Sequence, residues 1–303
     1  MTRIGHILCP VDLSDTSLRA LQHGSALAGW YESSLTAFYV DTTPSIENAA
    51  DFEDFAIAPS AVLEAVRSTG AARDVRTFVG RASCRTAVDV VVEKSSVIDA
   101  AILERARALP ADLIVMGTHG RSGVKRLLIG SVAERILRTA PCPVMVVPPH
   151  DAVATSAVSF KHIVCAIDFS ESSLAGLTWA VSLAEEADAR LSLLHVIEVP
   201  PELRVSAVVT DDHLDELHAA VEADMLARLR SLVPPAAAQF CSVETATAAG
   251  AAGHAILAFA AERGADLIVM GAQGHGSLER WIFGSKTRDV VWGATCPVLT
   301  VRR

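Results

Sequence analysis

The chain has 303 residues, of which 51% are hydrophobic and 20% are charged. At roughly 100–200 residues per domain this length predicts two domains, and the composition is that of a folded protein rather than a disordered one. The formal charge is -9, so the average surface repels phosphate backbones and anionic lipid headgroups. Non-specific binding to nucleic acid or to a membrane surface is therefore not expected.

Targeting signals and metal motifs are not predicted. No run of about 18 apolar residues is present, which argues against a transmembrane helix. The apolar stretch near the N-terminus is too short for a signal-peptide core, and we expect a cytoplasmic protein. Six cysteines, none of them in a Cys-x-x-Cys pair, predict neither a disulfide framework nor a zinc ribbon. We therefore assign no metal ligands to protein side chains.

In the first half of the chain, short apolar runs alternate with longer helical stretches. This alternation predicts βαβ units and a parallel sheet that is buried on both faces. The predicted strands are His6–Val11, Leu35–Val40, Ala87–Glu93, Asp112–Met116 and Pro143–Val147. The predicted helices are Ser14–Gly29, Ile98–Leu109 and Ser131–Thr139, with Ser14 or Asp15 and Ser131 as N-caps.

The second half repeats the first. Residues 6–18 and 162–174 share seven of thirteen identities at an offset of 156, and the segment Ala111–Gly117 recurs unchanged as Ala265–Gly271. A period of this length indicates a duplicated domain, because solenoid repeats run about 20–50 residues. We assign residues 1–148 and 160–303 to the two domains and residues 149–159, rich in Pro, Ala, Ser and Thr, to a linker.

The strands of the second half follow the same order. They are predicted at His162–Ile167, Leu191–Val196, Ser242–Ala248, Asp266–Met270 and Pro297–Val301. Five strands with crossover helices predict an open, doubly wound α/β sheet in each half. Ligands of such sheets bind outside the carboxyl ends of the strands, where the strand order reverses.

A glycine-rich loop follows the fourth strand of each half. Its spacing is Gly-x2-Gly-x9-Gly-Ser, at Gly117, Gly120, Gly130 and Ser131 in the first half and at Gly271, Gly274, Gly284 and Ser285 in the second. Glycines allow a ligand to approach the backbone closely, and the free N–H groups at the start of the next helix favour an anion. The loops therefore predict phosphate binding. The alternative is a pair of tight turns between strand and helix.

These features together resemble the universal stress protein family in its tandem form. The resemblance depends on the aspartates after the first strands, the Asp-Leu-Ile-Val-Met-Gly strands, the glycine loops and the Cys-Pro-Val segments at Cys142 and Cys296. It implies a five-stranded fold of order 3-2-1-4-5 in each half, ATP as ligand, often with a divalent metal such as Mg²⁺ held through the phosphates, and pairing of domains through their last strands. It therefore implies an internal pseudo-dimer, and a further homodimer is possible.

The resemblance also implies which residues bind the nucleotide. The strand ends hold adenine and ribose, and the glycine loop holds the phosphates. The candidate residues of the first half are Pro10, Val11, Asp12, Val40, Met116, Gly117, His119, Gly120, Arg121, Gly130, Ser131 and Val132. Those of the second half are Ala166, Ile167, Asp168, Val196, Met270, Gly271, Gly274, His275, Gly284, Ser285 and Lys286.

Several of these residues have a structural alternative. Asp12 and Asp168 could instead cap a helix, and His119 could be an ordinary surface histidine. Arg121 and two further cations favour tighter phosphate binding by the first loop, whereas Lys286 could restore some attraction in the second.

The function predicted from these motifs is that of a cytoplasmic, ATP-binding regulator of the stress response, acting through unidentified protein partners. No nucleophile with an adjacent base and no motif for activating water is evident, so catalysis is not the first expectation. Two alternatives stay open: a slow ATP hydrolase, and a scaffold or binder of another small metabolite that does not depend on nucleotide.

Overall fold

The computed structural model describes residues 2–42, 60–118, 129–149, 158–198, 211–234, 240–273 and 284–302. Strands and helices alternate along the chain. The strands are β1 (His6–Val11), β2 (Ser34–Asp41), β3 (Val88–Lys94), β4 (Leu113–Gly117), β5 (Val144–Val147), β6 (His162–Ala166), β7 (Arg190–Ile197), β8 (Val243–Ala249), β9 (Leu267–Gly271) and β10 (Val298–Val301). The helices are α1 (Asp15–Trp30), α2 (Ser60–Arg81), α3 (Ile98–Ala108), α4 (Ser131–Thr139), α5 (Glu171–Ala187), α6 (Asp211–Leu232), α7 (Ala252–Glu262) and α8 (Ser285–Gly293).

The doubly wound α/β prediction is confirmed. Every predicted strand is present, and its bounds agree with the prediction to within one residue at either end. Helices α1, α3 and α4 lie where the periodicity places them. Helices α2 and α6, each of 22 residues, were not among the predicted elements.

One compact unit is built from Ile4–Cys142. Its strands have the order β3-β2-β1-β4, and all of these pairs are parallel. Helix α1 packs on β1 and β4, whereas α3 packs against α4. The strand order reverses between β1 and β4, so their carboxyl ends border one crevice. The strand-end candidates of the first half, from Val11 and Asp12 to Met116 and Gly117, belong to this edge of the sheet.

The other compact unit contains Ser159–Arg303 together with the segment that begins at Pro143. Its strand order is β5-β10-β9-β6-β7-β8, and every pair is parallel except β5 with β10. In that antiparallel pair Val146 lies opposite Val298. The last strands of the two halves therefore pair with each other, as the resemblance implies, and β10 is covered on both sides.

Burial of both sheet faces accounts for the apolar composition of the strands. All four residues of β5 and all five of β6 are buried, as parallel strands between helical layers require. Cys9, Cys142, Cys165 and Cys296 are free and buried. In the parts of the chain that the structure describes, no helix combines the length and the apolar character needed to cross a bilayer.

Candidate functional site

Asp168 lies just beyond the end of β6 and closes a tight turn into α5. Its Oδ1 accepts hydrogen bonds from the Ser170 N–H at 3.0 Å and from the Ser170 hydroxyl at 2.5 Å. Ser170 is the N-cap of α5, and its Oγ accepts a hydrogen bond from the Ser173 N–H at 3.2 Å. Between them Phe169 has a φ of 63°, which few residues other than glycine adopt. Asp168 therefore has a structural role, although it holds the N-cap residue Ser170 in place and does not itself cap α5.

Asp12 forms the same turn in the first half. Its Oδ1 accepts from the Ser14 N–H at 3.1 Å and from the Ser14 hydroxyl at 2.6 Å. Leu13 has a φ of 66°, and the Ser14 Oγ accepts from the Ser17 N–H at 3.2 Å. The predicted N-cap Ser14 is confirmed. The turn is thus duplicated together with the motif.

The glycine at the end of the fourth strand lies against the start of a helix. A Cβ on Gly271 would be 2.6 Å from the Ser172 Oγ and 2.8 Å from the Ser173 backbone nitrogen. A Cβ on Gly117 would be 2.8 Å from the Thr16 Cγ2. At Gly271 the backbone of α5 is this close, so the packing of helix on strand alone requires glycine there, whether or not a ligand is bound. At Gly117 the nearest backbone atom, the Thr16 carbonyl carbon, is 3.3 Å away, and the close neighbour is a side chain.

The N-terminus of α8 presents backbone amides at the same end of the sheet. Gly284 is its N-cap, without a side-chain capping bond, and the Gly284 carbonyl accepts from the Arg288 N–H at 3.0 Å. The N–H groups of residues 285–287 consequently have no acceptor within the helix. The Thr287 hydroxyl donates to the Gly271 carbonyl at 3.2 Å and fixes this end of α8 on β9.

The prediction that Ser131 is the N-cap of α4 is wrong. Gly130 occupies the cap, and Ser131 is the first helical residue. The Gly130 N–H donates to the Thr118 carbonyl at 2.8 Å, which draws the chain into an extended conformation before the helix begins. A serine placed after the cap leaves its own N–H, like the next two, available to a ligand.

A cavity of 370 Å³ opens where β6, β7, β9 and α8 converge. It brings together all the candidate residues of the second half that the structure describes. These are Ala166, Ile167, Asp168, Val196, Met270, Gly271, Gly284, Ser285 and Lys286. The other two, Gly274 and His275, lie outside the described residues.

Other residues line the cavity that motif reasoning missed. They are Ser173, Leu194, His195, Glu198, Ala252, Ile256 and Thr287. The His195 Nδ1 lies 2.7 Å from the Ile167 carbonyl oxygen, so Nδ1 carries the proton in this contact. The His195 ring lies 5.0 Å from that of Phe169, and the Arg228 guanidinium lies 4.0 Å from the centre of the Phe169 ring.

A charged pair stands beside the amides of α8. The Lys286 ammonium donates to the Glu198 Oε2, and the Glu198 Oε1 accepts from the Ala252 N–H at 3.2 Å. The hydrogen bond from Lys286 lowers the pKa of Glu198 below its ordinary value, so Glu198 is ionised at neutral pH. Both side chains are about half exposed.

The first-half candidates occupy the corresponding places in their own sheet. Pro10, Val11, Val40 and Met116 are buried at the strand ends, whereas Asp12, Gly117, Gly130 and Val132 are partly exposed and Ser131 is exposed. His119, Gly120 and Arg121 lie outside the described residues.

Metal ligation by the protein alone has no candidate within the described ranges. No group of three His, Cys, Asp or Glu side chains there is arranged to hold an ion.

Comparison with known proteins agrees with this geometry. A model of the universal stress protein family matches the chain twice, at residues 3–148 and 159–302. The universal stress protein YxiE of Bacillus subtilis strain 168 is 36% identical over 147 residues, 47% of this chain and 99% of that protein. A universal stress protein of Methanocaldococcus jannaschii is 35% identical over 143 residues, 46% of this chain and 80% of that protein.

A solved structure shares the fold over both halves. A universal stress protein from Archaeoglobus fulgidus DSM 4304 superposes with a TM-score of 0.63 and 21% identity, covering 99% of this chain and 97% of the other. Because the two family matches also span both repeats, this chain belongs to the universal stress protein family and carries two copies of its domain in tandem.

Proposed function

We propose that the cavity of the second half binds ATP, with Mg²⁺ held through the phosphates. The observation that carries this proposal is that the predicted residues lie together in space. Nine residues chosen from strand ends and a glycine motif far apart in sequence line one cavity of 370 Å³. That volume lies in the range of roughly 300–1,000 Å³ typical of small-molecule sites.

The lining matches the parts of a nucleotide. Ile167, Val196, Ile256 and Met270 form an apolar wall on which a flat base can pack. The three unused amides of residues 285–287, at the positive end of the α8 dipole, favour phosphate. The Asp168 carboxylate also lines the cavity and would accept hydrogen bonds from ribose hydroxyls.

The proposed role is that of a regulator. Nucleotide occupancy would change the surface presented by the loops around the cavity, and partner proteins in the cytoplasm would respond to that change. The net charge of -9 supports protein partners over nucleic acid. The first half, with the same glycine spacing, is proposed to bind a second nucleotide.

Calorimetry with Mg²⁺-ATP and the full chain tests the proposal through Gly284. A Cβ there meets its nearest neighbours at 3.5 Å and 3.9 Å, so a side chain fits. Gly284→Asp supplies a good N-cap, which preserves α8, but places a carboxylate where the phosphate is expected. We expect it to weaken binding at the second-half site at least about tenfold through like-charge repulsion and loss of the free amides.

Two matched variants complete the test. Gly284→Ala adds a side chain without charge and is expected to retain binding, whereas Gly130→Asp carries the same carboxylate into the first half. Mass spectrometry of ligand released from the denatured protein identifies what is carried through purification. A wild-type chain that binds no ATP, or a Gly284→Asp chain that binds it unchanged, contradicts the proposal.

A further inference from the structure

The Lys286–Glu198 pair lies at the phosphate end of the proposed nucleotide cavity. Lys286 is the second residue of α8, beside the amides that have no acceptor in the helix. Its ammonium bonds Glu198, which lies just after β7, and both residues line the cavity. A cation that lines the proposed phosphate end is therefore already engaged by a carboxylate of the same chain.

The two members of the pair are held differently. Glu198 also accepts a hydrogen bond from the Ala252 N–H at the start of α7, where the helix dipole favours an anion. The Lys286 ammonium donates to Glu198 from an exposed position, with 56% of its side chain accessible to solvent. Lysine has a long, flexible stem. Glu198 is thus the fixed partner, and Lys286 is the one that can turn away.

The pair is a feature of the second half alone. At the offset of 156 that relates β2 to β7, Thr42 stands in place of Glu198. At the offset of 154 that relates α4 to α8, Val132 stands in place of Lys286. Both charges are therefore absent from the first half, as expected if the two residues act as a pair.

We propose that Lys286 exchanges Glu198 for a phosphate group of the ligand, so that the second-half cavity selects phosphorylated nucleotides and rejects uncharged nucleosides. This inference rests on the proposed function. Half-exposed ion pairs are weak, and a phosphate carries more charge and more acceptor oxygens than a carboxylate. A nucleoside has no phosphate to bind Lys286, whereas a nucleotide replaces the Lys286–Glu198 hydrogen bond with a stronger one.

A double-mutant cycle in the full chain tests the exchange, in a Gly130→Asp background that isolates the second-half site. Glu198→Gln removes the competitor, and we expect ATP to bind about threefold tighter, the size of a weak ion pair. Lys286→Val, which introduces the residue of the first half, is expected to weaken ATP binding about tenfold, with little effect on adenosine. Glu262→Gln removes an exposed charge from the end of α7, outside the cavity lining, and serves as the charge control.

The double variant separates exchange from simple repulsion. If Glu198 acts through Lys286, Glu198→Gln has no effect once Lys286 is Val. If Glu198 merely repels phosphate, the tightening persists in the Lys286→Val background, and the exchange is wrong. Weaker ATP binding by Glu198→Gln, as expected of a carboxylate that binds ribose, also overturns it.

A carboxyl NMR titration of Glu198 follows the pair directly. Lys286 lowers the pKa of Glu198, so in the ligand-free protein we expect the Glu198 carboxylate to titrate below its ordinary value of 4.5. The ion pair is lost as the pH falls through that midpoint. Saturating ATP is expected to raise the midpoint, because Lys286 then faces phosphate, and an unmoved midpoint contradicts the exchange. If ATP binds but these responses are missing, only this inference fails; if no nucleotide binds, the proposed function fails with it.

Discussion

At Gly271 both the packing of the helix and the proposed ligand binding require a residue without a side chain. A Cβ would lie 2.6 Å from the Ser172 Oγ and within 2.9 Å of the backbone of that residue, so α5 would have to move away from β9. At Gly117 the constraint is weaker, because the contact of 2.8 Å is with the Thr16 side chain and the nearest backbone atom is 3.3 Å away. In the second half the strand-end glycine of the motif is therefore a requirement of the fold.

Gly271→Ala is expected to lower the free energy of unfolding by about 1–3 kcal/mol, the usual cost of overpacking a close contact. Gly70→Ala in α2 is the matched control, because a Cβ there has no neighbour within 4 Å. Replacing a helical glycine by alanine in open space should instead stabilise by about 0.5–1 kcal/mol. Urea unfolding of both variants measures the difference, and equal effects would contradict the packing argument.

Asp168 combines a turn-forming role with a proposed ligand role, and Asp168→Asn separates them. The Asn Oδ1 can still accept both hydrogen bonds from Ser170, so we expect the free energy of unfolding to change by less than about 1 kcal/mol. Ribose hydroxyls lose a charged acceptor, and ATP affinity should fall about tenfold.

Asp168→Ala is the comparison for that prediction. It removes the acceptor for Ser170 and should lose stability as well as affinity, because the turn at Phe169 is then unsupported. Thermal unfolding and calorimetry on both variants measure the two effects. Unchanged ATP affinity in Asp168→Asn would leave the aspartate with its structural role alone.

The residues of the second-half cavity could be predicted where the chain repeats itself. Asp168, Gly271 and Gly284 recur at fixed offsets from Asp12, Gly117 and Gly130, so a spacing argument finds them. Glu198 and His195 could not be found in this way, because they have no counterpart in the first half. Their partners, Lys286 and the Ile167 carbonyl, come near only through folding.

At the level of elements, the central strands were predictable because burial on both faces makes them almost continuously apolar, whereas the outer strands β3 and β8 are only partly buried. Helix α6 has little apolar periodicity, since eight of its 22 residues are charged and its five leucines do not form one regular stripe, and it packs against β7 and β8. The misplaced cap of α4 has a local cause. Serine is the commoner N-cap, but the turn held by the Thr118 carbonyl places glycine there instead.

At the level of the whole molecule, β5 belongs to the first half by sequence and to the second compact unit by contacts. It pairs with β10, and the Thr300 hydroxyl donates to the Val144 carbonyl at 3.2 Å. All four residues of β5 are buried. The halves defined by the repeat and the units defined by packing therefore differ by one strand.

A protease site inserted between Pro149 and Val158 tests whether the pairing of β5 with β10 holds the two halves together. After cleavage the N-terminal piece still carries β5, and we expect the two pieces to elute together in native size-exclusion chromatography. Val146→Lys places a charge at a position that is 1% exposed and opposite Val298, and should release the pieces. Separation of the cleaved wild-type pieces would contradict the prediction.

The packing of Gly271 against Ser172 has a consequence for reading genomes. A related chain that no longer binds nucleotides must still keep this glycine, because otherwise the helix cannot pack against the strand. A sequence search that treats the strand-end glycine as evidence of ATP binding would therefore include proteins that do not bind ATP. The informative positions are those where the backbone has room for a side chain and glycine nevertheless recurs in both halves, as at Gly284 and its counterpart Gly130.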